Sequence, residues 1–173
     1  MVLVSHLGRP KGKRIKRYSL KPVAKRLERL LGKPVPVIGD FLRTSDKKRV
    51  ISLKPGEVAM LENIRFYPEE ERNDPQFSKK LAELADVYVN DAFGTDHRVH
   101  CSTVGVTQLL PKAAGLLLLK EVEMISRLTN KPKRPFVAII GGAKAETKIT
   151  LIDHLLEMAD HLVNWKGSRE HVL

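Results

Sequence analysis

Cysteine, aromatic residues and long apolar runs are all scarce in this sequence of 173 residues. The single cysteine, Cys101, excludes a disulfide scaffold and is typical of a reducing compartment, so we expect a cytoplasmic protein. Apolar runs such as residues 116–119 are far too short to cross a membrane. The first residues lack a basic leader, so we also expect no secretory signal. Hydrophobic residues make up 42% of the chain, which excludes a disordered tail and is enough for a core.

Acidic residues are scarce in the first part of the chain, where basic residues are concentrated. Residues 1–33 contain eleven Lys or Arg and one acid, Glu28, whereas the other 140 residues carry a net charge of only +1. The whole chain therefore has a formal net charge of +11. A basic block of this kind attracts phosphates on nucleic acid, on lipid or on a small anionic substrate. Charge alone leaves these three kinds of partner open.

Short apolar segments alternate with segments of helical periodicity along the chain. The pattern predicts strands over residues 2–5, 34–38, 58–64, 86–90, 136–140 and 161–165. It predicts helices over residues 19–31, 44–52, 74–85, 118–129 and 145–160, with a further helical region opening at Pro111. Alternation of strands and helices favours an α/β fold with a parallel sheet. In such sheets, ligands bind at the carboxyl ends of the strands.

The first predicted helix has the clearest boundaries and the clearest apolar stripe. Ser19 is its predicted cap, and Gly32 supplies a left-handed stop. Five apolar side chains recur at helical spacing, and we expect them to face the core: Leu20, Val23, Leu27, Leu30 and Leu31.

Four polar clusters each follow a predicted strand. They are residues 5–10 (SHLGRP), 61–66 (LENIRF), 90–100 (NDAFGTDHRVH) and 141–148 (GGAKAETK). The first three contain an arginine, whose planar fork suits phosphate and carboxylate groups, and the fourth contains two lysines near a predicted helix start. Because strand ends meet at one edge of a parallel sheet, the clusters predict a pocket for a small polyanion.

Each cluster also has a plainer interpretation when it is taken alone. His6 is compatible with an ordinary loop histidine, and Arg65 with a surface ion pair. His97, His100 and Cys101 form only a weak zinc pattern, because no second cysteine pair accompanies them. The fourth cluster lacks the complete G-x-x-x-x-G-K-[ST] pattern of a phosphate loop.

The combination of SHLGRPKG, LENIRF, NDAFGT-x-HR and AIIGGAK-x-x-TK, in this order, closely resembles phosphoglycerate kinase over residues 1 to about 163. The resemblance implies a glycolytic phosphotransferase that moves a phosphoryl group between 1,3-bisphosphoglycerate and ADP, giving 3-phosphoglycerate and ATP with Mg²⁺. It also implies Rossmann-like lobes with a parallel three-layer α/β/α sheet. Family members are usually monomeric, and we expect no membrane partner and only weak, non-specific binding of nucleic acid.

The resemblance assigns roles to individual residues. It implies substrate binding by residues of the first three clusters: His6, Leu7, Gly8, Arg9, Arg65, His97 and Arg98. It implies nucleotide binding by residues of the fourth cluster: Gly141, Gly142, Lys144 and Lys148. Among these, Lys148 and Arg9 would be catalytic, and no protein residue is expected to ligate a metal ion.

The resemblance also implies a division of the chain and an incomplete fold. Residues 1–116 would form part of a phosphoglycerate-binding lobe, residues 117–132 an interdomain helix, and residues 133–173 the start of a nucleotide-binding lobe. The family's first strand and helix would precede Met1, and most of its nucleotide lobe would follow, so we expect little or no activity from this chain alone. Residues 164–173 fit no family motif, and Asp96 places an unusual negative charge close to Arg98.

The alternative function comes from the basic block itself. Residues 9–33 are compatible with a non-catalytic module that binds nucleic acid or other polyanions. Single-strand binders usually interleave several aromatic side chains for base stacking, whereas Tyr18 is the one aromatic residue in this block. The sequence therefore supports only weak, salt-sensitive binding of this kind.

Overall fold

The computed structural model describes residues 1–130, 132–141 and 149–165. Chain contacts divide it into two compact units, Met1–Leu119 and Lys120–Leu173. The strands are β1 Val2–Leu3, β2 Val37–Ile38, β3 Ala59–Leu61, β4 Tyr88–Asn90, β5 Lys112–Ala114, β6 Val137–Gly141 and β7 His161–Trp165. The α-helices are α1 Lys21–Leu31, α2 Thr44–Ile51, α3 Pro68–Glu71, α4 Pro75–Ala82, α5 Leu116–Asn130 and α6 Ile149–Met158. No helix among the described residues is long and apolar enough to span a membrane.

All strand pairs in the described residues are parallel. In the first unit, the order β1-β3-β2 makes one sheet, with Leu3 opposite Met60 and Ile38 opposite Leu61. Strands β4 and β5 make a second parallel pair in the same unit, and β6 and β7 make a pair in the second unit. The predicted α/β class with parallel strands is therefore confirmed. Short 3₁₀-helices carry the chain away from two strand ends, at Ile64–Phe66 and Phe93–Thr95.

The core of the first unit lies on both sides of β3. One cluster of buried side chains contains three aromatic rings, Phe41, Tyr67 and Phe77, with centroids 5.2–5.4 Å apart. Edge-to-face and tilted contacts of this kind add to the stabilisation from burial alone. A smaller cluster packs the first turn of α1 against the other face of the sheet, through Leu20, Ala24, Val35, Val58 and Met60.

Helix α1 begins at a carboxylate supplied by another element. Glu62, directly after β3, accepts hydrogen bonds of 2.7 Å from the backbone N–H of Leu20 and from the hydroxyl of Ser19. The N-cap position belongs to Leu20, one residue later than predicted, and Leu20 makes no side-chain cap. The Ser19 hydroxyl nevertheless accepts a 3.3 Å hydrogen bond from the N–H of Lys21, the first residue of the helix. The predicted stop is confirmed, because Gly32 has φ +64° in the left-handed region.

The apolar stripe of α1 is only partly buried. Leu20 is buried and Leu27 packs against the smaller core cluster, as predicted. Three members of the stripe are instead exposed: Val23 at 45%, Leu30 at 65% and Leu31 at 43%. Periodicity shows which side chains share a helix face, but the width of the surface that covers them is set by the rest of the fold. Here the core covers a narrower face of the helix, which includes Leu20 and Leu27 but not Val23, Leu30 or Leu31.

The predicted helical region at Pro111 is wrong. Residues 112–114 form β5, which pairs in parallel with β4, and the carbonyl of Pro111 accepts a 2.9 Å hydrogen bond from the N–H of Tyr88. Helix α5 begins after this strand, where Asp91 accepts a 2.9 Å hydrogen bond from the N–H of Leu118. Pairing with this segment satisfies backbone groups of β4 that would otherwise lack partners. That gain outweighs the helical preference of residues 112–114.

Candidate functional site

The loop of residues 6–9 leaves the carboxyl end of β1 in a conformation that requires glycine. Gly8 has φ +65°, and a Cβ atom there would lie 2.4 Å from the ring of Tyr18. His6 is half-buried, whereas Leu7, Gly8 and Arg9 are exposed. Pro10 is buried and anchors the end of the loop. The loop is thus fixed at both ends and carries its polar groups at the end of the sheet.

Arg65 lies in the 3₁₀-helix that follows β3 and is only 4% exposed. Its Nη1 atom donates a 3.0 Å hydrogen bond to the carbonyl of Gly8. A carboxylate oxygen of Glu71 lies 3.3 Å from Nε without hydrogen-bond geometry. Nε and Nη2 are both buried and have no hydrogen-bond acceptor among the described residues. The interpretation of Arg65 as a surface ion pair is therefore wrong about the surface: Glu71 is an ion-pair partner, but the guanidinium is buried and two of its nitrogens make no hydrogen bond among the described residues.

The third cluster forms a loop that is tied to α3. The buried carboxylate of Glu70 accepts hydrogen bonds from the N–H of Ser102 (3.1 Å) and from its hydroxyl (2.5 Å). His100 Nδ1 lies 3.8 Å from the same carboxylate. Thr103 donates a 2.7 Å hydrogen bond to the carbonyl of Arg98, which fixes the backbone of this half-buried arginine. The segment that carries Arg98 is therefore held by a buried carboxylate.

The cationic groups of the three clusters act on one another electrostatically. Burial lowers the pKa of His6, and the charges of Arg65 and Arg98 lower it further. Burial likewise lowers the pKa of His100, with Arg65 as the next cause and Glu71 opposing it. The charge of Arg9 acts on Arg65 in the same sense. The structure therefore brings these residues into one positive region, in which both imidazoles favour their neutral forms.

The other predicted site residues have few described contacts or lie outside the described residues. His97 is exposed and acts electrostatically on His100. Asp96 accepts a 2.7 Å hydrogen bond from the side-chain amide of Asn90, which engages the unusual carboxylate of this loop. Gly141 ends β6, opposite Trp165 of β7. The remaining predicted nucleotide-binding residues lie outside the described residues: Gly142, Lys144 and Lys148.

Several residues of this region were not among the predicted site residues. Asn63 and Glu70 are buried polar side chains that hold the loops, Glu71 faces Arg65, and His100 lies inside the positive region. Asn63 belongs to the LENIRF segment, and both glutamates belong to the acidic run that follows it. The sequence signal was therefore present, but a polar residue after a strand does not by itself reveal whether it is buried.

Cys101, from the weak zinc pattern, and Tyr18, the aromatic residue of the basic block, both contact other residues of the protein. Cys101 is fully buried, and its thiol lies 3.3 Å from the carbonyls of Glu69 and Asp74. Within the described ranges, no group of three or more His, Cys, Asp or Glu side chains could hold a metal ion. The ring of Tyr18 contacts Gly8 and lies 4.7 Å beneath the guanidinium of Arg17, so part of its surface is already engaged.

Arg14, in the middle of the basic block, is used inside the protein. It donates hydrogen bonds to the carbonyl of Gly39 (2.7 Å) and to the hydroxyl of Tyr67 (3.0 Å). It also lies 3.8 Å from the carboxylate of Asp40. One of the clustered cations of residues 9–33 is thus engaged in contacts within its own unit.

Comparisons with known proteins identify the family and support the fold. The family model described as phosphoglycerate kinase matches residues 1–166. The phosphoglycerate kinase of Desulforudis audaxviator is 53% identical over 163 residues, and the match covers 94% of this chain and 42% of that protein. The enzyme of Moorella thermoacetica is 55% identical over the same length, with the same coverage. The chain therefore spans about two fifths of the length of these curated relatives.

Solved structures give the same result. Phosphoglycerate kinase from Coxiella burnetii matches with a TM-score of 0.79 and 42% identity, over 95% of this chain and 41% of that chain. Phosphoglycerate kinase from Pyrococcus horikoshii matches with a TM-score of 0.82 and 33% identity, over 95% of this chain and 42% of that chain. Because sequence motifs, fold and family model coincide over nearly all of its length, this chain belongs to the phosphoglycerate kinase family.

Proposed function

We propose that the first unit binds the phosphoglycerate of a phosphoglycerate kinase reaction at the positive region formed by His6, Arg9, Arg65 and Arg98. The observation that carries this proposal is the guanidinium of Arg65, which is buried while two of its nitrogens have no acceptor among the described residues. A buried donor without a partner is costly, so an anionic ligand that accepts from it gains more than it would from an exposed arginine.

The ligand's chemistry matches the groups on offer. 3-Phosphoglycerate carries a phosphate and a carboxylate, and each is a planar or tripodal acceptor that an arginine can grip. Arg9 is exposed and Arg98 half-buried, so both are accessible to an entering anion. His6, in its neutral form, can donate one hydrogen bond and orient the ligand. It need not act as a base, because transfer of an acyl phosphate removes no proton from the donor. His97 and the backbone of Leu7 and Gly8 complete the proposed site.

The complete reaction requires the nucleotide side as well. In it, an oxygen of ADP attacks the phosphorus of 1,3-bisphosphoglycerate, and the bond from phosphorus to the acyl oxygen breaks to release a carboxylate. Little covalent help is needed, so catalysis consists of in-line positioning and neutralisation of charge. We assign nucleotide binding to Gly141, Gly142, Lys144 and Lys148, with Lys148 and Arg9 neutralising the transferred group. Mg²⁺ arrives with the nucleotide as part of the substrate.

The assignment implies a division of the chain into two lobes joined by a helix. Residues 1–116 act as the phosphoglycerate lobe, residues 117–132 as the connecting helix and residues 133–173 as the beginning of the nucleotide lobe. Binding of phosphoglycerate therefore requires only residues of the first lobe, whereas transfer requires both lobes. We further propose that the protein works in the cytoplasm as a monomer, as the resemblance implies.

Titration of the chain with 3-phosphoglycerate, followed by NMR and calorimetry, tests the binding site. We expect saturable shifts that Arg65→Ala and Arg98→Ala each weaken by about tenfold or more, because each removes a charge-assisted contact worth about 1.5–3 kcal/mol. Arg49→Ala is the matched control, since it removes the same charge from an exposed ion pair with Asp46. An unchanged affinity in both site variants would show that the anion binds elsewhere.

A further inference from the structure

One side chain of the LENIRF segment, Asn63, makes hydrogen bonds to two parts of the proposed site, the loop after β1 and Arg65. Asn63 is fully buried, with an exposed fraction of 0%. Its Nδ2 group donates hydrogen bonds of 2.8 Å to the carbonyls of Leu7 and Tyr18. Its Oδ1 atom accepts a 3.1 Å hydrogen bond from the N–H of Arg65. Both protons of the amide nitrogen and the amide oxygen are thus in use.

These partners join three segments that are distant in sequence. Leu7 belongs to the loop after β1, Tyr18 to the 3₁₀-helix Lys16–Tyr18 whose tyrosine ring contacts Gly8, and Arg65 to the 3₁₀-helix after β3. A second bond runs in parallel, because Arg65 donates to the carbonyl of Gly8, next to Leu7. The loop and the arginine are therefore fixed to each other by two neighbouring carbonyls, one held by Asn63 and the other by Arg65.

We propose that Asn63 is the positioning residue of the phosphoglycerate site, which sets the loop of residues 6–9 against the guanidinium of Arg65 without touching the ligand. The inference rests on the proposed function. A carboxamide suits this position because it presents two donors and an acceptor in one plane. An isosteric carboxylate would place an oxygen against two carbonyl oxygens. Misplacement of a binding group by about 1 Å can cost as much as a hundredfold in function.

The isosteric variant Asn63→Asp tests this role with little change in packing volume. We expect it to bind 3-phosphoglycerate about tenfold or more weakly, after correction for the folded fraction measured in the same samples. We also expect the ratio of the two affinities, unaltered chain over variant, to grow as the pH rises. A protonated carboxyl keeps one donor for Leu7 or Tyr18, whereas an ionised one keeps none. The ionisable residues bonded to Asn63 are Glu62, whose carboxylate accepts from its N–H, and Arg65 and Tyr18, whose backbone groups bond to its side chain.

A core variant supplies the matched control for lost stability. Val50 is buried in the aromatic cluster and makes none of the contacts described for the loop of residues 6–9. Val50→Ala should destabilise the fold while the folded chain keeps its affinity for 3-phosphoglycerate at every pH. If the folded Asn63→Asp variant also binds like the unaltered chain, and the ratio does not change with pH, Asn63 is only structural and the inference is overturned.

A measurement on the unaltered chain keeps the test decisive if the variant does not fold. With asparagine and arginine labelled by ¹⁵N, the side-chain amide protons of Asn63 should shift and exchange more slowly when 3-phosphoglycerate is added, because the ligand fixes the loop and Arg65 together. A silent Asn63 amide beside responding signals of Arg65 would overturn the inference alone. If the unaltered chain binds neither 3-phosphoglycerate nor inorganic phosphate, the proposed function falls and the inference falls with it.

Discussion

At the scale of single residues, Gly8 shows how local geometry serves the site. Two separate conditions exclude a side chain there: a backbone in the left-handed region and a tyrosine ring that occupies the space of a Cβ atom. The consequence is functional, since the carbonyl of Gly8 accepts from the buried Arg65. A side chain at this position would strain the backbone and displace the carbonyl that Arg65 contacts.

A pair of alanine variants separates these two conditions. Gly32 has nearly the same φ, +64° against +65°, but nothing lies within 4 Å of its Cβ position. Gly32→Ala should therefore cost only the backbone term, about 1–2 kcal/mol of the free energy of unfolding. Gly8→Ala should cost clearly more, because the ring of Tyr18 must also move. Denaturant unfolding measures both, and equal losses would contradict the role of the ring contact.

At the scale of elements, buried polar groups fasten loops and helices to the ends of strands. Glu62 starts α1 from the end of β3, and Glu70 of α3 holds the loop that contains Ser102. Burial raises the pKa of Glu70, although the hydrogen bonds from Ser102 and the charge of Arg65 oppose the rise. Buried carboxylates of this kind are stable only while their partners remain in place, so they couple the elements that they join.

The raised pKa of Glu70 predicts how stability depends on pH. The folded state holds this proton more tightly than the unfolded state, whose value is near 4.5, so the contribution is present below pH 4.5 and is lost as the pH rises through the folded-state pKa. Glu70→Gln removes this titration. The free energy of unfolding of the unaltered chain should therefore fall relative to the variant as the pH rises from 4.5.

An exposed glutamate, whose pKa is shifted in the opposite direction, serves as the control for that experiment. Glu83 pairs with Lys47 at 2.6 Å, and this partner lowers the pKa of its carboxyl. Its contribution is present above the unfolded value and is lost as the pH falls. Glu83→Gln should therefore change the pH dependence weakly and in the opposite sense. Parallel curves for the unaltered chain and Glu70→Gln, measured by urea unfolding, would refute the role of burial at Glu70.

At the scale of the whole molecule, the two units carry different parts of the proposed reaction. The proposed phosphoglycerate groups lie within Met1–Leu119, and the proposed nucleotide groups lie within Lys120–Leu173. The relatives contain more than twice as much chain as the matched region, which covers 42% of the Desulforudis audaxviator enzyme. We therefore expect this chain to bind phosphoglycerate without transferring a phosphoryl group.

A coupled assay measures that separation. With 1,3-bisphosphoglycerate and ADP, we expect the 173-residue chain to form no ATP above the buffer background, although it binds 3-phosphoglycerate. The reason is that transfer requires a complete nucleotide side, whereas this chain matches only 42% of the length of the Desulforudis audaxviator enzyme. The full-length Moorella thermoacetica enzyme serves as the positive control. ATP formation by this chain at a comparable rate would contradict the prediction.

The sequence by itself determined the family, the parallel α/β class and the order of nearly all elements. These follow from local patterns: helical spacing in α1, the left-handed stop at Gly32, and arginines placed directly after strands. The same patterns are enough to group His6 and Arg65, because β1 and β3 are neighbours in one parallel sheet and their carboxyl ends share an edge. Arg98 follows β4, which pairs with β5 in a separate sheet, so its position was not determined by this rule. Such information is carried by residues close together in the chain.

Only the tertiary structure decided which of these residues are buried and what holds them. It placed Arg65 inside the protein, exposed Leu30, set Glu62 at the start of α1 and turned residues 112–114 into a strand. Each of these outcomes depends on a partner that lies far away in the sequence. Burial and hydrogen bonding are properties of pairs, so a pattern along one segment cannot specify them until the distant partner is in place.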